Sequence, residues 1–171
     1  MNLVKKLSAA TALGTSVWIL SSALNAGPPE EPPPPPPLPP PECEDRVTGG
    51  GWITGTPSDS FANFGVGGGI QNGKLWGHLN YIDHGTGMHV KAQEVTGYFV
   101  DPTDALCRII TYNVTIDGEA GTAKVRVCDY GEPGENDIFE ISLSNGYSAG
   151  GDLGGDHPGG GNIQLHKPKC D

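Results

Sequence analysis

Residues 106–129 read LCRIITYNVTIDGEAGTAKVRVCD, which is two alternating runs separated by Asp117-Gly118. An Asp-Gly pair in this setting is the strongest short-range signal of a β-hairpin, because a type I′ turn needs a positive φ at both central residues. Pairing the residues that flank the turn places Cys107 opposite Cys128. At that offset the two residues form a non-hydrogen-bonded pair with Cα atoms about 4.5 Å apart, which a disulfide tolerates. The sequence therefore predicts a hairpin closed by a disulfide between these two cysteines.

The two runs also predict one buried face. The side chains on that face are Ile110, Tyr112, Val114, Ile116, Val125 and Val127. Polar residues alternate with them, which is typical of an antiparallel sheet that packs on a core from one side. Elsewhere short alternating runs recur, glycine is abundant and no segment has a helical pattern, so we expect an all-β fold.

Ten segments have the composition and alternation of strands. They are Val47–Thr54, Phe61–Gly68, Gly73–Ile82, Met88–Val95, Thr96–Asp101, Leu106–Ile116, Glu119–Cys128, Asp137–Leu143, Gly146–Leu153 and Gly161–His166. Short connections favour a meander, in which each strand pairs with its sequence neighbour. If the first and last strands also pair, the meander forms a closed or nearly closed antiparallel β-barrel, which removes exposed edges. The alternative that the sequence leaves open is a two-sheet β-sandwich.

Pairing of the chain ends makes two further predictions. It brings Cys43 and Cys170 to the same end of the sheet, so that the four cysteines form two disulfides, as an even cysteine count in an exported chain indicates. It also predicts that Trp52 shares a face with Ile163 and Leu165.

The N-terminal part of the chain predicts export. Residues 1–26 have the pattern of a secretory signal peptide, with two lysines, a mostly apolar stretch and small residues before the cleavage site. Residues 27–42, GPPEEPPPPPPLPPPE, are typical of an extended polyproline spacer. Residues 43–171 then form one all-β domain. We expect a secreted protein, extracellular or held in the periplasm or at the cell surface, with no membrane insertion once the signal is removed.

Charge narrows the class of partner. Without the signal peptide the chain has eight Lys and Arg against twenty Asp and Glu, a net charge near −12. Nucleic acids and anionic membranes bind to basic patches, so this composition argues against both as partners. The expected partner is an extracellular ligand or a component of a cell surface.

Several motifs, in order along the domain, resemble a known group of proteins. They are VTGGGW at 47–52, ANFGV at 62–66, VRVCDYGEPGENDIFEI at 125–141, NGYSAGG at 145–151 and GGGNIQLHK at 159–167. Together they are similar to an uncharacterised family of bacterial secreted β-domains found after choice-of-anchor regions in larger surface proteins. The resemblance implies an extracellular bacterial β-domain, and it brings no activity.

An acidic turn is the first candidate site. Asp129, Glu132, Glu135 and Asp137 place four carboxylates within nine residues. Ca²⁺ takes six to eight oxygen ligands, so these side chains are candidate calcium ligands, although their spacing differs from that of an EF-hand loop. The alternative interpretation is a solvated loop with a type II turn at Pro133-Gly134. No other cofactor is expected.

A polar strand face is the second candidate site. Alternation places Trp76, His78 and Asn80 on one face, and His89 on the polar face of the next strand. An exposed tryptophan beside hydrogen-bonding side chains could hold a sugar or a peptide, so these residues are a candidate binding platform. For Trp76 we favour the alternative that its ring packs under a neighbouring loop. The alternative is a small extracellular hydrolase or metal-dependent barrel enzyme that uses His78, Asp83 and His89. Because the sequence contains no assembled catalytic motif, a non-catalytic binding or structural module is the preferred hypothesis.

Overall fold

Nine antiparallel strands form one strongly curled sheet in the computed structural model, which describes residues 43–154 and 160–170. The strands are β1 Cys43–Ile53, β2 Ala62–Gln71, β3 Lys74–Asp83, β4 His89–Asp101, β5 Asp104–Ile116, β6 Glu119–Cys128, β7 Ile138–Leu143, β8 Ser148–Asp152 and β9 Gly160–Cys170. The described ranges contain no helix. The predicted all-β class is therefore confirmed.

The sheet is a meander whose last strand returns beside the first. Its order is β8-β7-β6-β5-β4-β3-β2-β1-β9, so each strand from β1 to β8 pairs with its sequence neighbour. The predicted pairing of the chain ends is confirmed, because β1 and β9 are antiparallel neighbours. The predicted strands Met88–Val95 and Thr96–Asp101 are one strand in the structure. Strand β4 runs through both, and its register shifts between Ala92 and Glu94 and again between Val95 and Gly97, as at β-bulges, which bend a strand without ending it.

The β5–β6 hairpin has the predicted register. Asp117 and Gly118 have φ values of 51° and 91°, as a type I′ turn requires. Cys107 pairs with Cys128 across the ladder, and the two form a disulfide with their Cα atoms 4.0 Å apart. At the other predicted bridge, the backbones of Cys43 and Cys170 are partners in the β1–β9 ladder. Their side chains lie outside the described part, so the second disulfide stays a prediction.

The concave face of the sheet holds the core. Alternate residues of most strands are buried on it, among them Tyr81, Tyr98, Tyr112, Phe139 and Ile163. The six hairpin residues that the sequence assigns to the buried face all belong to this core.

The predicted position of Trp52 is wrong. Its partner in β9 is Gly160, whereas Ile163 is the partner of Gly49. Cross-strand partners share a face, and an odd offset of three residues puts Trp52 on the opposite, outward face. Glycine at position 49 makes room for the isoleucine, since a Cβ there would lie 2.8 Å from Cγ1 of Ile163.

Two predicted features fall outside the described ranges. They are the signal peptide at 1–26 and the proline-rich spacer at 27–42. Among the described residues, no helix is long and apolar enough to cross a membrane.

Candidate functional site

The outward side of five neighbouring strands forms one continuous surface, which we call the outer face. Its members are the outward-pointing residues of these strands. They are Arg46, Thr48, Gly50 and Trp52 of β1; Asn63, Gly65, Gly67, Gly69 and Gln71 of β2; Lys74, Trp76, His78, Asn80 and Ile82 of β3; His89 and Lys91 of β4; and Asn162, Gln164 and His166 of β9. The ladders align these positions in rows across the sheet, because directly opposite residues point the same way. One such row contains Trp52, Asn63, Ile82 and His89.

All four residues of the predicted binding platform lie on the outer face. His78, Asn80 and His89 are exposed, and Trp76 is half-buried. His89 is the ladder partner of Ile82, and Asn80 lies diagonal to it, where its Oδ1 accepts a hydrogen bond of 2.6 Å from His89 Nε2. His78 covers the backbone of Gly67, since a Cβ there would lie 2.6 Å from the imidazole Cε1. The structure therefore brings the predicted histidines and the asparagine together on one surface.

Trp76 presents less of its ring than an open platform would. Its indole Nε1 is buried and has no hydrogen-bond partner among the described residues. On β2 its neighbour is Gly69, where an added Cβ would meet the main chain of Asp45 and Arg46. Trp76 is thus half-buried, and its buried N–H is not exposed to a ligand.

Sequence reasoning missed a second group of aromatic side chains on this surface. Phe61 is 45% exposed and stacks on His84, with ring centroids 4.4 Å apart. Trp52 meets the same phenylalanine edge-on at 6.4 Å. His84 Nε2 also donates a hydrogen bond of 2.6 Å to Asn63 Oδ1. We call Trp52, Phe61, Asn63 and His84 the aromatic cluster. The alternation of polar and apolar residues in β2 and just before it could have placed Phe61 and Asn63 outward, but only the fold brings the Asp83-His84 turn beside them.

A shallow depression lies between the aromatic cluster and the platform. Its floor is Gly50 and Gly65, which are direct partners in the β1–β2 ladder. A Cβ built on Gly65 would meet no atom within 4 Å, so the space above that residue is open. Asn80 is the β3 partner of Gly65 and borders the depression on the side of His89.

The alternative catalytic set is not brought together. His78 and His89 lie on the outer face, whereas Asp83 is fully buried on the concave face at the end of β3. Alternation explains this separation, since residues 78 and 83 differ by an odd number of positions along one strand.

The Asp83 carboxylate instead links three loops of the chain through hydrogen bonds. Its carboxylate accepts hydrogen bonds from Ser58 Oγ at 2.7 Å, from the Tyr147 hydroxyl at 2.8 Å and from the backbone N–H of Gly85 at 2.8 Å. Burial acts to raise the pKa of Asp83, but these donors outweigh it and hold the pKa below its ordinary value. Tyr147 is in turn hydrogen-bonded to Tyr81, whose pKa burial raises to about 12. These hydrogen bonds occupy the Asp83 carboxylate and the hydroxyl groups of Tyr81 and Tyr147, so none of the three is free to act as a base.

The acidic turn contacts the edge strand β9. Asp137 Oδ2 accepts the N–H of Ile163 at 2.8 Å, and Asp129 Oδ2 accepts the N–H of Leu165 at 2.7 Å. Glu132 Oε1 accepts a hydrogen bond from the side chain of Asn162 at 3.1 Å. Three of the four candidate calcium ligands therefore bind β9, and the loop is not simply solvated.

Asp137 is the most buried of the four carboxylates. Its Oδ1 also accepts the N–H of Tyr130 at 2.8 Å. Burial raises the pKa of Asp137, and two backbone donors oppose that rise. Glu135 is exposed. Within the described ranges no three His, Cys, Asp or Glu side chains are placed to hold a metal ion, and calcium binding at the turn stays a prediction. The hydrogen bond here joins Gly134 N–H to the carbonyl of Gly131, so Glu132 and Pro133 are the central residues of the closed turn, whereas the sequence predicted Pro133 and Gly134.

Comparison with known proteins adds no relative. No protein-family model, curated protein or solved structure matches this chain.

Proposed function

We propose that this chain is an exported, non-catalytic module that binds an extracellular ligand or a cell-surface component on its outer face. The observation that carries the proposal is the aromatic cluster beside the His89–Asn80 pair, with an open glycine floor between them. Export is supported by the Cys107–Cys128 disulfide, because disulfides persist in oxidising compartments.

The chemistry of these groups suits a sugar. Aromatic rings offer flat apolar surface, against which the C–H face of a sugar ring packs. Imidazole and carboxamide groups both donate and accept hydrogen bonds, as recognition of hydroxyl groups requires. His84 is held by a stacked ring on one side and by Asn63 on the other, so little side-chain freedom remains to be lost on binding.

Catalysis has no comparable support in the described residues. Asp83 is the most deeply placed carboxylate near the histidines, and its oxygens are occupied by hydroxyl and backbone donors. Ser58 donates a hydrogen bond to that carboxylate, and among the described residues no imidazole is hydrogen-bonded to Ser58 as a base would be.

We propose further that the curled sheet is a barrel whose edges are joined in two ways. At one place the N–H of Gly150 in β8 donates to the carbonyl of Gly55, just beyond β1, at 3.0 Å. At another, carboxylates of the 129–137 loop accept N–H groups along β9. Amide hydrogen exchange tests this closure. The Ile163 and Leu165 amides should be protected like ladder amides, and rapid exchange at both would indicate an open edge.

Binding is tested on a glycan array with the full chain. Phe61→Ala and His89→Ala should each weaken any interaction at least several-fold, since each removes a contact surface or a hydrogen bond. Lys124→Ala is the matched control, because Lys124 is exposed on β6, outside the outer face. A ligand that binds both outer-face variants as tightly as the wild type would place the site elsewhere, and a blank array would count against a glycan-binding function.

A further inference from the structure

The outer face has a charge balance opposite to that of the chain. The chain without its signal peptide has a net charge near −12, yet none of the outward positions that define the outer face is Asp or Glu. Carboxylates stand at its borders. Glu44 precedes Arg46 on β1, and the exposed Glu94 follows Lys91 on β4. Glu132 contacts Asn162, and the Asp117 side chain accepts the backbone N–H of His89. The carboxylates near this surface therefore lie along its edges and not within it.

Cationic groups are concentrated on the same surface. Arg46, Lys74 and Lys91 occupy outward positions, and none of them belongs to a salt bridge among the described residues. Of the other cations whose side chains the structure describes, Arg108 is paired with Asp45 at 2.9 Å and Arg126 with Asp101 at 2.6 Å, and Lys124 is exposed on β6.

Histidine shows the same distribution. The described histidines, His78, His84, His89 and His166, all lie on the outer face or at its rim. An imidazole is neutral or positively charged and is never an anion. The surface is thus neutral to positive over five neighbouring strands.

From this segregation we infer that the ligand of the outer face is an anionic polysaccharide, one that bears carboxylate or sulfate groups. The inference rests on the proposed function and adds the charge of the ligand. A polyanion is repelled by most of this acidic protein, and at physiological salt such repulsion is screened over about 8 Å. Within the bounds of the outer face an anionic chain meets no carboxylate, and this surface supplies cations together with groups that recognise sugar hydroxyls.

Nucleic acid is the competing polyanion. Its affinity comes mainly from phosphate contacts, and proteins that bind it tightly neutralise many phosphates with Lys and Arg. Three such side chains on a strongly acidic protein provide few of these contacts, whereas the aromatic rings and amides suit a sugar chain.

The first test compares matched polymers by titration calorimetry with the full chain. Polygalacturonate and its fully methyl-esterified form share a backbone and differ in charge, as do dextran sulfate and dextran. The charged member of at least one pair should bind more tightly, and its affinity should fall as salt is raised from about 50 to 300 mM. Single-stranded DNA is titrated in parallel.

The second test changes the charge of the protein at one position. Gly65→Glu and Gly65→Gln add side chains of the same size to the open floor, where no atom lies within 4 Å of the new Cβ. For an anionic ligand Gly65→Glu should bind about fivefold more weakly than Gly65→Gln, as expected for one like charge at contact distance in water. Lys124→Glu adds negative charge on β6, outside the outer face, and should leave the affinity near that of the wild type.

The outcomes separate the two proposals. Preference for the uncharged polymer in both pairs, or equal effects of the two Gly65 variants, would overturn the anionic ligand and leave a neutral sugar-binding module. Binding to DNA but to no polysaccharide would overturn the ligand class. Failure to bind every polymer and every array glycan would overturn the proposed function itself.

Discussion

Replacing Asp137 by alanine should lower the free energy of unfolding by about 2–4 kcal/mol. Asp137 accepts the backbone N–H of Tyr130 and of Ile163, both at 2.8 Å, and the second of these bonds is buried. A buried donor that loses its acceptor costs about 1–3 kcal/mol, and two donors lose theirs here. Burial of the carboxylate, which raises its pKa, offsets part of this contribution, so we expect a value below the sum of the upper limits.

The assay is urea unfolding of the full chain, with Glu135→Ala as the matched control. Glu135 is an exposed carboxylate of the same loop, two residues away, and its truncation should change stability by less than about 0.5 kcal/mol. In Asp137→Ala the amide of Ile163 should also lose protection from hydrogen exchange, because its acceptor is gone.

Repeating the unfolding with and without Ca²⁺ distinguishes calcium binding by the 129–137 loop from its hydrogen bonding to β9. A bound ion would stabilise the wild type by mass action, and both variants would lose that gain. The reasoning about β9 is refuted if Asp137→Ala is as stable as the wild type without calcium, or if Glu135→Ala is equally destabilised.

Three other perturbations test the fold. Gly118→Val should destabilise the protein by about 1–3 kcal/mol because residue 118 has a φ of 91°, whereas Ala120→Val, at an exposed strand position, should be nearly neutral in the same thermal melt. Replacing Cys107 and Cys128 together by serine should cost about 3 kcal/mol in urea unfolding, as expected for a closed loop of some 20 residues, and an unchanged midpoint would contradict it. Donors to Asp83 hold its pKa below 3.8, so its stabilisation is complete above that pH and is lost on acidification. As the pH falls below about 4 the wild type should therefore lose more stability than Asp83→Asn, and parallel pH profiles would argue against this role.

The hairpin register was predictable because it depends on neighbours along the chain. Two residues of the Asp117-Gly118 turn set the pairing of β5 with β6, and this pairing brings Cys107 to Cys128 without reference to any other strand. Alternation likewise predicted that His78 and Asn80 point away from the core. The predicted break within β4 failed because glycine and threonine there mark a bulged strand, and sequence alone does not distinguish a bulge from a turn.

The binding platform was only half predictable. Trp76, His78, Asn80 and His89 come from two adjacent strands, and local parity is enough to group them. Trp52 was placed on the wrong face, because the offset of β9 against β1 is determined by the whole curled sheet and an odd shift reverses every side chain. Without Trp52 on the outside, the aromatic cluster could not be anticipated.

Sequence by itself determined the all-β class, the meander, the 107–128 pair and the inward or outward direction of most strand residues, since turn chemistry and period-two alternation act over a few residues. Tertiary structure alone decided that Asp129 and Asp137 bind the edge of β9, that Asp83 is buried away from the histidines, and that three cationic side chains of an acidic chain share its outer face. Those features depend on contacts between residues that are distant in sequence, and such contacts arise only when the registers of several strands are combined.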